Sequence, residues 1–367
     1  MRVAILSKAM LVGAYQRKAE EIAAIPGVEL TVFVPPRWSG PVASIERVFT
    51  RGYDLRVLPV AFGGHYHVHF YPTLGRELAT LRPDLFHVDE EPYNLATFHA
   101  YLAGGRVGAA RVFFTWQNID KTYPPPFGWI EPWIIARSDG VIAGVTDAAA
   151  IVRRKGFRGP LAVIPQFGID PDLFSPPLVR PPGPFSIGFL GRIEAYKGVL
   201  DLVDACSGLT VDWRLTFVGE GPASSEVIAR AAGLGVSDRV TIRPPVPSTE
   251  VPEVYRSLDA IALPSRTTPR WKEQFGRVLT EGMACGAIPV GSDSGEIPTV
   301  IGDAGFVFPE GDAAALRDRL TTIAVDQELA ATLRRRGRER AMTHYTQRAI
   351  AAQTVELYHQ ALAGRRS

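Results

Sequence analysis

Two glutamates, Glu273 and Glu281, stand eight positions apart within residues 264–298, with Phe275-Gly276 between them and a helical apolar pattern after them. Glycine lets backbone approach a ligand closely, and a helix starting here would aim its first N–H groups and positive dipole end at an anion. At 100° per residue Glu281 falls in the second turn, where it can point back toward the helix N-terminus. A carboxylate repels phosphate, so the glutamates suit hydroxyl donors, as a sugar or a ribose offers. The stretch reads as a seat for a phosphorylated, polyhydroxylated molecule.

A second motif supplies the opposite charge. Gly191-Arg192, then Lys197-Gly198, directly follow the apolar run 185–190. Arginine grips phosphate oxygens in bidentate fashion and lysine adds a point charge. A solvated loop is the bland alternative, but a strand's carboxyl end favours phosphate. Gly219-Glu220-Gly221-Pro222 reads equally as a close approach to a ligand or a plain turn. Pro244-Pro245-Val246-Pro247 is a stiff, extended piece whose one N–H, at Val246, could meet a nucleobase edge.

The elements that must position these groups alternate. Strand-like runs at 3–6, 30–34, 85–88, 111–115, 140–143 and 161–164 are interleaved with amphipathic helices, the pattern of a parallel sheet covered on both faces. The proline-rich stretch 170–184 is a linker, and a second alternation follows with strands at 185–190, 214–218, 240–242, 259–263, 288–290 and 307–308. The expected fold is therefore α/β: two Rossmann-like, doubly wound domains facing across a cleft. Their expected extents are 1–175 together with a terminal helix at 346–367, and 184–345.

Composition excludes several classes. With 46% hydrophobic and 21% charged residues and a net charge of +2 over 367 residues, the chain is not a dedicated nucleic-acid binder. The cluster Arg334-Arg335-Arg336 and Arg338 reads as a solvated helix face. Cys206 and Cys285 sit in apolar, helix-like settings and suit buried thiols in a reducing cytoplasm. No run of about 18 apolar residues spans a membrane. A cytoplasmic location is expected, with peripheral contact to a membrane surface left open.

Taken together, Glu273-x7-Glu281 with Phe275-Gly276, Cys285-Gly286-x-x-Pro289-Val290, and Gly191-Arg192-x4-Lys197-Gly198 resemble the retaining glycosyltransferases of family 4, which have two Rossmann-like domains (the GT-B fold). Val163-Ile164-Pro165 with Gly168, Asp170 and Phe174 fit the same family. The resemblance implies transfer of a sugar from a nucleoside-diphosphate sugar, UDP first and GDP next, to an acceptor hydroxyl with retention. No cofactor or metal is required in such a family. Carried over, Glu273, Arg192 and Lys197 are the catalytic group, the two cations holding the diphosphate and Glu273 the transferred sugar. Glu281 bonds the ribose, while Gln274, Phe275, Gly276, Arg277, Val278, Val246, Gly191, Gly13 and Gln117 complete the donor site. The family also implies a terminal helix that crosses back onto the first domain. A nucleotide-sugar epimerase or a sugar phosphorylase on the same fold, or a binding protein that has lost transfer, are the alternatives.

Two departures stand out. Residues 266–272 (RTTPRWK) intervene where the family pattern has only a few residues, and could cover the donor or meet an acidic acceptor. Gln117 stands where members commonly place a histidine, and an amide is not a general base. The acceptor, a sugar, a lipid-linked molecule or a small molecule, should be chosen by the first domain, with Glu90, Glu91 and Trp271 as contacts. His65, His67 and His69 alternate as on one strand face, a metal-ligand geometry in principle, although ordinary strand residues fit better. Residues 121–133 (KTYPPPFGWIEPW) read as a proline-stiffened aromatic loop, for an acceptor groove, a lipid surface or packing against the last helices.

Overall fold

The computed structural model describes residues 1–38, 44–179 and 182–365. Its internal contacts divide into two compact units, Met1–Gly168 with Gln347–Ser367, and Ile169–Thr346.

In the first unit β1 (Arg2–Leu6), α1 (Arg17–Ala23), β2 (Glu29–Val34), β3 (Asp54–Val57), α2 (Leu74–Leu81), β4 (Leu85–Val88), α3 (Leu95–Arg106), β5 (Ala110–Thr115), α4 (Phe127–Ile135), β6 (Gly140–Ala143), α5 (Thr146–Arg154) and β7 (Leu161–Val163) succeed one another. The strands form one parallel sheet in the order β3-β2-β1-β4-β5-β6-β7. Period-2 alternation explains why its strands are apolar throughout. Ala4 and Leu6 of β1 enter one core cluster, with Phe33, Phe86 and Phe113, while Val3 and Ile5 enter the other, with Val32, Leu85 and Ile142.

The second unit contains β8 (Phe185–Leu190), α6 (Val199–Ser207), β9 (Trp213–Val218), α7 (Ser224–Gly233), β10 (Val240–Arg243), α8 (Val251–Arg256), β11 (Ala260–Leu263), α9 (Arg277–Ala284), β12 (Ile288–Ser292), α10 (Ile297–Ile301), β13 (Phe306–Phe308), α11 (Ala313–Val325) and α12 (Gln327–His344). Its strands are again all parallel, in the order β10-β9-β8-β11-β12-β13. This is the Rossmann order, with its switch point between β8 and β11, so the loops at the carboxyl ends of those two strands flank the expected ligand crevice. The last helix, α13 (Gln347–Ala363), belongs to the first unit, where Ile350, Val355, Leu357, Tyr358 and Ala361 cover one face of its sheet.

Three expectations are corrected. Residues 65–69 form turns rather than a strand, so the three histidines do not share a strand face. No group of three or more metal-binding side chains occurs among the described residues. The aromatic segment 121–133 is a loop only up to Pro126, after which α4 begins, with Pro132 inside it. Pro132 lies six positions into α4, at its second turn, and Trp133 rests edge-on against Phe98 of α3 instead of the last helices. The edge strand β3 had no sequence signal, because Asp54-Leu55-Arg56-Val57 is short, charged and only partly buried. The linker 170–184 carries neither helix nor strand where described; its positions 180 and 181, and 366 and 367 at the end of the chain, lie outside the described residues.

Candidate functional site

In the second unit the loops after β8 and β11 bring both motifs together. Lys197 ends a short 3-10 turn, Ala195–Lys197, and the chain then reverses through Gly198 at φ +67. A Cβ at 198 would lie 1.9 Å from the carbonyl oxygen of Pro264, so only glycine lets the two loops meet. Lys197 Nζ then donates to Glu273 Oε2 at 2.7 Å, and Ser265 Oγ donates to the same oxygen at 2.8 Å. Glu273 is buried at 8% exposure, which makes this a fixed, paired carboxylate.

Helix α9 starts at Gly276, whose φ of +74 suits glycine and turns the chain into the first helical turn. Glu281, one turn further on, accepts from Tyr255 Oη at 2.8 Å and pairs with Arg277 Nε at 3.1 Å. Burial pushes its carboxyl above the ordinary range, against the opposing pull of Arg277 and Tyr255. Next to it lies a cavity of about 350 Å³ lined by Gly191, Arg192, Pro245, Val246, Val278 and Glu281, among others. The loop after β8, the stiff proline segment and the helix start therefore border one space. Arg192 is the outer member: its side chain is 76% exposed and meets Glu194 at 2.7 Å.

Phe275 stacks edge-on against Tyr345 and packs on the core, so its side chain is structural there while its backbone precedes the helix. The 266–272 segment is a tight hairpin, closed by an antiparallel bridge between Thr268 and Trp271. Arg266 anchors it through a two-pronged pair with Asp201, with Nε to Oδ2 at 2.7 Å. Thr267 adds bonds to Glu310 and Ser294. Trp271 lies against Tyr196, ring centroids 4.4 Å apart, with Lys197 Nζ 4.5 Å from its own ring centre. Sequence reasoning missed Tyr255, Ser265 and Asp201. Each is a common residue type that no motif marks; Tyr255 and Asp201 lie 26 and 65 positions from the groups they hold, and Ser265 lies eight from Glu273.

Residues 17–173 match the family described as Glycosyltransferase Family 4, and residues 172–340 the one described as Glycosyl transferases group 1. The chain belongs to the family 4 glycosyltransferases. This family 4 member is 31% identical over 262 residues to the D-inositol 3-phosphate glycosyltransferase of Xylanimonas cellulosilytica, an overlap of 65% of this chain and 61% of that protein. The chain thus spans about three fifths of that relative's length. Among solved structures, sucrose-phosphate synthase from Thermosynechococcus elongatus superposes with a TM-score of 0.71 at 21% identity, covering 99% of each chain. Anabaena HepE in complex with UDP gives 0.72 at 17% identity over 98% of this chain and 100% of that one. These likenesses show the shared fold, two Rossmann-like domains of the GT-B type.

In its first unit, the family 4 member places the remaining expected residues at the ends of β1, β4 and β5. The Gly13 N–H donates to Glu46 Oε2 at 2.6 Å, and a Cβ there would lie 2.3 Å from Val48. The 46–48 segment therefore packs directly against Gly13. Gln117 is nearly buried, with its amide nitrogen unpartnered and its oxygen 3.4 Å from Lys155 Nζ. Glu91 accepts from Thr115 Oγ1 at 2.6 Å and from the Trp116 N–H at 2.8 Å, and burial pushes its carboxyl up to about 7. Glu90 is buried and paired with Lys8, and its second oxygen has no hydrogen-bond partner.

Proposed function

We propose that this chain transfers a sugar, with retention of configuration, from a nucleoside-diphosphate sugar to an acceptor hydroxyl, with UDP as the first donor base to try. The observation that carries the reading is the pairing of Glu273 with Lys197 beside a helix start, next to a cavity walled by Glu281, Val246 and Arg192. Glu281 would receive the ribose hydroxyls and Glu273 the hydroxyls of the transferred sugar. Lys197, Arg192 and the positive end of α9 would take the charge of the leaving diphosphate, so that stabilisation is present before bond cleavage begins. Lys197 has to share itself between Glu273 and the phosphates, which couples donor arrival to the sugar contact. The backbone at Gln274, Phe275 and Gly276 would border the sugar, and Arg277 and Val278 the nucleotide.

Glu273 is held by a lysine and a serine rather than opposite a second carboxylate, which argues against a glycosidase-style acid and nucleophile pair. The attacking hydroxyl would instead lose its proton to the departing phosphate. Relatives and neighbours differ in what their names say they act on, with D-inositol 3-phosphate as one phosphorylated acceptor among them.

The test combines binding with turnover. UDP and UDP-glucose should raise the melting temperature with concentration, because a ligand bound by the folded state alone stabilises it. Glu281→Ala should weaken donor binding by about tenfold or more, since it removes charge-assisted hydrogen bonds worth roughly 1.5–3 kcal/mol each. Glu273→Ala should mainly lower kcat, as its contact tightens on the migrating sugar. Unchanged donor affinity and rate in both variants would sink the assignment.

A further inference from the structure

Four buried polar atoms of the first unit gather without hydrogen-bond partners: His69 Nε2, Glu90 Oε1, Tyr71 Oη and Trp38 Nε1. The three rings form one cluster, with Trp38 and His69 centroids 4.7 Å apart and His69 and Tyr71 5.9 Å apart, and Glu90 Oε1 joins it 3.6 Å from His69 Nε2. Buried polar groups are nearly always paired, so four in one place call for a partner.

The chemistry of that partner follows from the tautomer. His69 Nδ1 lies 3.2 Å from the carbonyl of His65 and 3.1 Å from that of Tyr66, so Nδ1 carries the proton and donates. In the neutral ring Nε2 is then an acceptor. It faces Glu90 Oε1, also an acceptor, at 3.6 Å. Tyr71 and Trp38 offer the converse, an O–H and an N–H with nothing to receive them. Two acceptors and two donors in one cluster match hydroxyl groups, each of which donates once and accepts as well. Phosphate or carboxylate would supply acceptors only and would be repelled by Glu90. Lys8, the cation in contact with the cluster, does not reverse this, because its ammonium is paired with Glu90. It lies 5.6 Å from the Trp38 ring centre and 5.4 Å from that of Tyr66. Tyr66 is 55% exposed and the Lys8 side chain 19%, so these two form the outer layer over the buried atoms. Aromatic faces beside paired donors and acceptors suit the C–H faces and hydroxyls of a sugar.

We propose that this cluster binds an uncharged vicinal diol of a sugar or polyol, one hydroxyl donating to His69 Nε2 and its neighbour to Glu90 Oε1. Its role as the acceptor site rests on the transferase reading above; binding itself does not. The acceptor is on this view neutral at the bound end, not phosphorylated.

The full chain is tested by saturation-transfer NMR with methyl α-glucoside and myo-inositol against glucose 6-phosphate and inositol 3-phosphate. At least one neutral probe should bind tenfold or more tightly than its phosphorylated partner. Tyr66→Ala, an exposed change that leaves the core intact, and Glu90→Gln should each weaken it tenfold or more. Absence of binding by either neutral probe, equal or tighter binding of the phosphates, or unaltered affinity in both variants would overturn the proposal. So would a nitrogen-15 spectrum showing His69 as an imidazolium closed on Glu90 in the free protein. Thermal shift with UDP and GDP reads the donor site separately: neutral binding without a shift from either nucleotide keeps this site and removes the transferase reading, and the reverse outcome removes only this site.

Discussion

At the scale of single residues, burial and pairing set different tasks for acids that look alike. Glu90 and Glu91 are neighbours, yet Glu91 spends both oxygens on Thr115 and Trp116 while Glu90 keeps one free. Burial raises the Glu91 carboxyl from an ordinary 4.5 to about 7 in the folded protein. Between those values the folded chain holds a proton that the unfolded chain has lost, so this residue's contribution is full below pH 4.5 and is lost as pH rises through 7. Glu91→Gln should therefore remove part of the decline in stability across that window, read from denaturant midpoints at half-unit steps of pH. The glutamates at 273 and 281, the cations at 192 and 197 and the glycines between them were legible in sequence, because their spacing along a strand end and a helix start is local. Tyr255 was not, since it reaches Glu281 from 26 positions away.

Elements add constraints that no single side chain carries. The loop after β8 and the loop after β11 touch at Gly198 and Pro264, where a Cβ has no room and φ is positive. Gly198→Ala should destabilise the second unit by about 2 kcal/mol or more, because strain at positive φ adds to overpacking. It should also shift Lys197 away from Glu273. A lowered melting temperature together with weakened UDP response checks both effects, and an unchanged melting temperature would refute the close approach. The segment 266–272 was visible as an insertion that could cover the donor, but its anchoring to Asp201 and Glu310 was not. Its charge at Arg266 is consumed by Asp201, and it is Trp271 that reaches Lys197. Period-2 apolar runs revealed most strands, whereas β3 and the turns at 65–69 escaped because charge and histidine alternation there report no buried face.

At the scale of the whole molecule, the chain's last helix returns to its first unit. Tyr358 Oη of α13 and His87 Nδ1 of β4 lie 2.7 Å apart across 271 positions of sequence, both fully buried. Tyr358→Phe should cost about 1–3 kcal/mol, the penalty of leaving the His87 nitrogen without a partner in the core. Hydrogen exchange by mass spectrometry should speed up in peptides of β4, β5 and α13 and stay unchanged in β8 to β12. Uniform change across both units would refute this. By itself the sequence determined the two alternations of strand and helix, the proline-rich stretch between them and the residue types of the 191–198 and 273–281 motifs, since each is written in local periodicity, backbone restriction or close spacing. Tertiary structure alone decided which carboxylate is held by which partner, that the inserted loop roofs Lys197, and that His69, Tyr71, Trp38 and Glu90 meet. Most of those contacts, such as Lys197 with Glu273 across 76 positions, join distant segments, and the energy that selects them is burial and pairing in three dimensions.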